Sequence, residues 1–150
     1  MASIKPTFTL TANKSSASSN PGPLGVALSL STSQLLTVDT VQSEIVSVSS
    51  GSPTKIIDGS ATFGGGGAPA SNIGGFLYMK NITASGTNHI FVGVDTGSAD
   101  DLDDVAADTK RLFSLKPGEF AFLPYDYNYD INVDADAASQ TLEYWLFDRV

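Results

Sequence analysis

The chain contains no cysteine, one histidine and few charged residues. Without cysteine, neither a disulfide nor a thiolate metal site can form. Charged residues make up 16% of the 150 residues, compared with about 25% in typical globular proteins. There are 8 basic and 16 acidic residues, so the formal net charge is −8. Because nucleic acids and anionic membrane surfaces attract clustered Lys and Arg, we expect the protein to bind neither.

Long apolar runs are also missing. No segment approaches the roughly 18 consecutive apolar residues of a membrane-spanning helix. The N-terminal MASIKPTFTLTANKSS lacks the apolar core of a secretory signal peptide. These absences predict a protein that is made and folded in a cytoplasm and that leaves it, if at all, as part of an assembly.

A single histidine is too few for most metal and nucleophile chemistry. Metal sites in some jelly rolls need two or three histidines and a carboxylate, whereas His89 stands alone at the start of a strand pattern. Glu119, in the turn LKPGEF, is therefore predicted to begin a strand with its charge in water. No G-x-S-x-G elbow occurs, and the glycines at 64–67 lack the G-K-[ST] ending of a phosphate loop. We expect neither an enzyme nor a bound cofactor.

Acidic residues are the remaining candidates for chemistry. A glycosidase needs two carboxylates, but nothing in the sequence distinguishes one aspartate of 126–136 from another, and these are predicted to lie on a solvated sheet face. The best candidate for an ion is the acidic segment 95–108. The side chains that it could offer to Ca²⁺ as hard oxygen ligands are those of Asp95, Asp100, Asp101, Asp103 and Asp104. The spacing does not match an EF-hand, so a solvated acidic loop is the favoured interpretation.

Short strand patterns separated by turn residues make up most of the sequence. Apolar and polar residues alternate in PTFTLTA (6–12) and LGVALSLS (24–31), and QLLTV (34–38) and VQSEIVSVS (41–49) are predicted as two further strands. Nine to eleven such segments occur, and none has a convincing helical period. This pattern predicts an all-β protein, an antiparallel β-sandwich or jelly roll.

Turn and loop residues predict the organisation of that fold. Pro117 fixes φ and Gly118 supplies φ > 0, so the turn is predicted to join two paired strands as a tight hairpin. The Ser-rich segment 12–23 and the glycine-rich segment 63–75 are costly to order. We therefore predict a single domain over residues 1–150, with a flexible arm at 12–23 and a flexible loop at 63–75.

Three stretches in the second half of the chain resemble a known class of proteins. They are GGFLYMKNITASGTNHIFVGV, LFSLKPGEFAFLPYD and LEYWLFDR, within residues 74–149. This part of the chain resembles small virion structural proteins of tailed bacteriophages, particularly those of marine cyanophage type. The resemblance implies a non-enzymatic virion component. Within that class, a capsid decoration or cement protein is expected ahead of a tail, baseplate or fibre-associated part.

A virion component needs surfaces for its partners, which would be the major capsid protein or other virion proteins. Alternation predicts that Tyr125, Tyr127 and Tyr129 share one face, and that Trp145 points away from Tyr144 in the last strand. Aromatic side chains of this kind are typical interface anchors, so we predict a homo-oligomer, a trimer or a dimer, docked on a particle. The same three tyrosines could instead stack on sugars in a glycan-binding module for host attachment. The interface interpretation is favoured.

Overall fold

The computed structural model describes residues 2–4, 7–11, 27–31, 36–59, 75–95, 111–126, 129–137 and 139–149. These residues form eleven β-strands, and no helix occurs among them. By its contacts the chain divides into two compact units, residues 1–37 and residues 38–150. The predicted all-β class is confirmed.

The first unit contains β1 (Ala2–Ile4), β2 (Thr7–Thr11) and β3 (Ala27–Ser31). Strands β2 and β3 form an antiparallel pair in which Phe8 lies opposite Leu30 and Leu10 lies opposite Leu28. The predicted arm at 12–23 lies outside the described residues.

The second unit contains two antiparallel sheets of four strands each. The strands are β4 (Leu36–Val48), β5 (Thr54–Ile57), β6 (Gly75–Asn81), β7 (Ile90–Asp95), β8 (Arg111–Leu115), β9 (Phe120–Tyr125), β10 (Asp130–Ala135) and β11 (Gln140–Arg149). Their order is β4-β11-β6-β9 in the first sheet and β5-β10-β7-β8 in the second. Of the glycine-rich segment 63–75, only Gly75 lies within the described residues, where it begins β6.

The pairing of these eight strands is nested. Strand β4 pairs with β11, β5 with β10, β6 with β9, and β7 with β8. This is the pairing of one long antiparallel hairpin whose tip connects β7 to β8. Two further pairings, β11 with β6 and β10 with β7, join the parts of that hairpin into the two sheets. Consequently, every connection except β7 to β8 passes from one sheet to the other.

The turn at 116–119 is present, but it does not close the predicted hairpin. Strand β8 pairs with β7 and strand β9 pairs with β6, so the turn carries the chain between the two sheets. Gly118 has the predicted positive φ, +85°. Glu119 is exposed, and its Oε2 accepts a 2.8 Å hydrogen bond from the backbone N–H of Lys116. Turn residues thus predicted the local conformation, whereas the partner of each strand depends on distant parts of the chain.

Replacing Gly118 by valine should lower the free energy of unfolding by about 1–2 kcal/mol, because a β-branched residue is strained at positive φ. A Cβ at this position would meet no atom within 4 Å, so a clash contributes nothing. Gly118→Asn is the matched control and should cost less, since Asn tolerates the left-handed region better. Urea denaturation measures both variants, and a valine variant as stable as the wild type would contradict the prediction.

The described residues of the second unit share one hydrophobic cluster as their core, and both sheets contribute to it. Strand β11 shows how the alternation works. Leu142, Tyr144 and Leu146 are fully buried, whereas Trp145 points the other way and is 39% exposed. The predicted opposition of Tyr144 and Trp145 is confirmed.

Tyr144 connects the two sheets through its hydroxyl group. The hydroxyl oxygen lies 2.8 Å from Glu44 Oε2 on the neighbouring strand β4 and 3.2 Å from the carbonyl oxygen of Ile56 in the other sheet. Burial, together with the hydrogen bond to Glu44, raises the pKa of Tyr144 to about 12. The ring therefore fills the core, while its hydroxyl, which has one hydrogen to donate, lies within hydrogen-bond distance of acceptors from both sheets.

Candidate functional site

The outer face of the sheet β4-β11-β6-β9 carries six aromatic side chains, two from each of three adjacent strands. They are Phe76 and Tyr78 of β6, Phe120 and Phe122 of β9, and Trp145 and Phe147 of β11. Alternation places them there, because intervening residues such as Leu77 and Leu146 are buried in the core. We call this set of six residues the aromatic face.

The register of the three strands brings the rings of the aromatic face into contact. Phe76 stacks on Phe122 with ring centroids 5.8 Å apart and an angle of 8° between the rings. Trp145 stacks on Phe147 at 6.3 Å, and Phe122 joins the two pairs at 6.5 Å from Phe147. Across the paired strands, Tyr78 lies directly opposite Trp145 on one side and Phe122 on the other. The rings therefore form one continuous patch rather than isolated surface residues.

Three of the six rings are exposed, whereas Phe76 is buried. Phe120 is 52% exposed, Phe122 37% and Trp145 39%. Two charged residues interrupt it, Lys80 and Glu143, which lie opposite each other in the ladder. A contiguous apolar patch with a few polar groups typically marks an interaction site.

Glu143 interacts with two of the aromatic side chains beside it. Its Oε1 accepts a 3.3 Å hydrogen bond from Trp145 Nε1, which holds the indole ring against the sheet. Burial, together with the charge of Glu143, raises the pKa of the Tyr78 hydroxyl. Any tyrosine hydroxyl is neutral at neutral pH, so Tyr78 can donate a hydrogen bond to a bound partner.

The residues predicted as interface anchors occupy different places. Trp145 lies on the aromatic face. Tyr125 is only 6% exposed and belongs to the core, where its hydroxyl donates a hydrogen bond to the backbone carbonyl of Tyr129. Burial is the main cause that raises the pKa of the Tyr125 hydroxyl, and nearby carboxylates, Asp130 first among them, add to it. Tyr129 is 39% exposed and Tyr127 lies outside the described residues, so Tyr125 and Tyr129 do not share an exposed face.

The alternation argument for these tyrosines fails because the strand ends between them. Strand β9 ends at Tyr125 and β10 begins at Asp130. A period of two residues holds only within one strand. Sequence reasoning did not bring the six rings of the aromatic face together, because the pairs on the three strands become neighbours only through the pairing of β6 with β9 and β11.

The aspartates predicted for a solvated sheet face are in part buried. Asp130, Asn132 and Asp134 do lie on the face of β10 opposite Ile131 and Val133, but all three are at most 3% exposed. Asp130 Oδ2 lies 2.6 Å from Lys55 Nζ, and its Oδ1 accepts a 2.7 Å hydrogen bond from the backbone N–H of Gly59. This outcome corrects the prediction, because alternation indicates a face but not whether that face is covered.

The predicted Ca²⁺ segment is described only at its first residue. Asp95 ends β7, with its Cα opposite that of Asp130, whereas Asp100, Asp101, Asp103 and Asp104 lie outside the described residues. Elsewhere, His89 Nδ1 lies 3.0 Å from Asp136 Oδ2, and the backbone N–H of His89 donates to Asp136 Oδ1 at 2.8 Å. Across the described ranges, no three His, Asp or Glu side chains are grouped so that they could hold a metal ion.

Comparison with known proteins found no match to a protein-family model, a curated protein or a solved structure. In the part of the chain that the structure describes, no helix is long and apolar enough to cross a membrane. Function is therefore inferred from the residues and the strand order of this chain.

Proposed function

We propose that the protein is a non-enzymatic structural component of a bacteriophage virion, a capsid decoration or cement protein. It binds the outer surface of the capsid through its aromatic face and stabilises the shell. The observation that carries the proposal is the exposure of Phe120, Phe122 and Trp145 within one continuous group of rings. Large aromatic side chains of this kind supply most of the binding energy when they are buried at the centre of a protein interface.

The order of the strands supports the proposal. We infer that the two sheets of the second unit pack face to face as a jelly roll, because one core cluster draws residues from both sheets. The nested pairing of β4 to β11 is that of an eight-stranded roll. Jelly rolls are frequent in viral capsid proteins, but lectin domains and cupins share the fold, so the aromatic face has to carry the functional argument.

The charges of the aromatic face suit a specific protein partner. Lys80 and Glu143 have opposite charges and lie beside each other, so the two charges largely offset one another. A mainly apolar partner surface therefore needs only a small polar group opposite this pair. Exposed rings around such a pair give the mixed character of protein interfaces, whose apolar centre is accompanied by a few hydrogen bonds. The partner is the major capsid protein or another virion protein, and the decoration protein acts there as a dimer or trimer.

A triple variant with Phe120→Ser, Phe122→Ser and Trp145→Ser tests this proposal. We expect its affinity for phage particles stripped of the protein to fall by about 100-fold or more, because several interface anchors are lost together. Leu112→Ser is the matched control, since Leu112 is 53% exposed but belongs to the other sheet. Far-UV circular dichroism checks that both variants fold. Undiminished binding of a folded triple variant would rule out docking through the aromatic face.

Cryo-electron microscopy of decorated particles distinguishes the locations within the virion. Density on the outer capsid surface, with the sheet β4-β11-β6-β9 turned towards the shell, is the expected result. Density on the tail, baseplate or fibres would instead identify the protein as a component of that part of the virion. Absence of the protein from purified particles would remove the virion assignment altogether.

A glycan-binding module for host attachment is the second candidate. The observation that favours it is the row of rings with the polar groups of Tyr78, Lys80 and Glu143 among them, since sugars offer both apolar faces and hydroxyl groups. A glycan array on the wild type and the triple variant separates the two functions. This candidate would be favoured over the virion role if the wild type binds glycans but not phage particles and the triple variant binds no glycan.

A further inference from the structure

Strand β9 has an open edge. Within the part of the chain that the structure describes, the one strand that pairs with β9 is β6. The other side of an edge strand presents a row of unpaired backbone N–H and C=O groups, to which a further strand can add. Phe120, Phe122 and Pro124 of β9 are all exposed, so the strand is accessible to a partner.

Alternate residues of β9 direct their backbone polar groups to this open edge. In an antiparallel sheet, the N–H and C=O groups of one residue point to one neighbouring strand and those of the next residue point to the other side. The carbonyl oxygen of Glu119 accepts a 3.0 Å hydrogen bond from the backbone N–H of Asn81 at the end of β6, so the odd-numbered residues face β6. Pro124 is even-numbered and has no N–H to donate, as is usual for a proline in an edge strand. Phe120 and Phe122 therefore each direct an N–H and a C=O group away from β6.

The edge strands of the second sheet are protected against pairing, whereas β9 is not. Edge strands are commonly blunted by charged side chains, by bulges or by proline. Strand β5 contains Lys55, strand β8 begins with Arg111, and the pairing of each with its neighbour includes a register shift. Strand β9 contains no charged residue and pairs with β6 in unbroken register. Its one protective feature is Pro124, which lies near its end and leaves the edge at Phe120 and Phe122 open.

We propose that β9 pairs in antiparallel fashion with β9 of a second copy of this chain, about a two-fold axis at Ala121. In a two-fold contact both copies use the same patch, so the patch has to be complementary to itself. This pairing places Phe120 of each copy opposite Phe122 of the other, so that each outward N–H of these residues meets an outward C=O. The net charge of −8 makes two copies repel each other, and the uncharged β9 is a place where they can approach closely.

Two local features select Ala121 as the position of the axis. Opposed residues that do not exchange hydrogen bonds approach to about 4.5 Å between their Cα atoms, and the small side chain of alanine fits that distance. An axis at Phe122 would instead place Pro124 opposite Phe120. The proline ring would then stand where a donated hydrogen belongs, and the carbonyl group of Phe120 would stay unpaired.

The pairing joins the sheets of two copies and places both aromatic faces on the same side. This follows because opposed residues of antiparallel strands point to the same face of a sheet. The inference goes beyond the proposed function and does not depend on it, since two copies pair in solution without a particle. On a capsid, two linked aromatic faces would bind together and raise the apparent affinity.

Phe122→Pro and Phe122→Ser form a matched pair that tests the backbone pairing. Both variants remove the same ring, but only proline also removes the outward N–H group. In sedimentation equilibrium, the wild type and Phe122→Ser should form dimers. Phe122→Pro should dimerise at least about tenfold more weakly than Phe122→Ser, because hydrogen bonds beside the axis are lost in both copies.

Both variants should fold, because residue 122 does not donate its N–H group to β6, and far-UV circular dichroism checks this. A wild type that stays monomeric at the highest concentrations reached would overturn the proposal. Equal dimerisation of the two folded variants would overturn it as well, because the contact would then not involve the backbone edge. Neither measurement uses phage particles, so a failure of the virion role leaves both results interpretable.

Cysteine cross-linking tests the position of the axis without a proline. The chain contains no cysteine, so Ala121→Cys introduces a single thiol in each copy. Opposed Cα atoms at the axis lie within the range that a disulfide bridges, whereas the two residues at position 122 lie on a diagonal, about 7–8 Å apart and beyond that range. Mild oxidation should therefore convert Ala121→Cys to a covalent dimer much faster than Phe122→Cys, although position 122 is the more exposed of the two. Cross-linking of Phe122→Cys alone, or of neither variant, would contradict pairing about Ala121.

Discussion

Replacing Tyr144 by alanine should lower the free energy of unfolding by about 3–5 kcal/mol, the range for truncating a large buried aromatic side chain. Tyr144 is among the largest fully buried side chains, in a core that draws residues from both sheets. The substitution would leave a cavity between β11 and the other sheet, and it would deprive the Ile56 carbonyl oxygen of a neighbouring hydroxyl group. Urea denaturation monitored by circular dichroism measures the loss.

Tyr144→Phe separates the ring from the hydroxyl group. This variant keeps the packing and should cost only about 1–2 kcal/mol, the range for losing one buried hydrogen bond. If phenylalanine costs as much as alanine, the ring does not fill the core as described. If alanine costs less than about 1 kcal/mol, the residue is not part of a tightly packed core at all.

Tyr144 should also make the protein sensitive to alkaline pH. Its pKa is raised to about 12 in the folded state, whereas an unfolded chain has an ordinary tyrosine pKa near 10. The stability linked to this shift is fully present below about pH 10 and is lost as the pH rises towards 12, because the unfolded state releases the proton first. Between pH 8 and about pH 11, the free energy of unfolding measured by urea denaturation should fall less for Tyr144→Phe than for the wild type. Equal declines would contradict the assignment.

Replacing Asn81 by alanine should cost about 2–4 kcal/mol, although the residue is polar. Asn81 is fully buried at the end of β6. Its Nδ2 donates a 2.9 Å hydrogen bond to the carbonyl oxygen of Leu115, and its Oδ1 accepts a 3.0 Å hydrogen bond from the backbone N–H of Thr83. Alanine leaves these backbone groups without their partner, and each unsatisfied buried group costs about 1–3 kcal/mol.

The destabilisation caused by Asn81→Ala should be concentrated at the turn that connects β8 to β9. The backbone of Asn81 also accepts a hydrogen bond from the N–H of Gly118 at 2.8 Å, so this residue holds the turn that passes between the sheets. Asn88→Ala, in the connection between β6 and β7, is the control and should change stability by less than about 0.5 kcal/mol. Hydrogen exchange of the Gly118 amide should accelerate in Asn81→Ala. Alanine keeps the backbone carbonyl of residue 81, so an unchanged exchange rate would show that the Asn81 side chain is not needed to hold this turn.

Strand β4 illustrates the limit of local patterns. The sequence predicts two strands, 34–38 and 41–49, but the structure has one strand of 13 residues, Leu36–Val48. The polar residues between the two predicted strands do not form a turn, because β11 pairs with β4 along almost the whole length of β4. The register shifts between Phe147, which pairs with Val41, and Arg149, which pairs with Val38. A long partner strand thus overrides a local break in the apolar pattern.

By itself, the sequence determined the all-β class, the position of most strands, the opposed faces of β11 and the left-handed conformation of Gly118. These features depend on residues within a few positions of each other, through the two-residue period of a strand and the conformational freedom of glycine. Only the tertiary structure decided that β8 and β9 belong to different sheets, that Asp130 and Asp134 are buried, and that six rings form one face. Those features depend on which distant strands pair, and pairing is decided by how the whole core packs rather than by any local pattern.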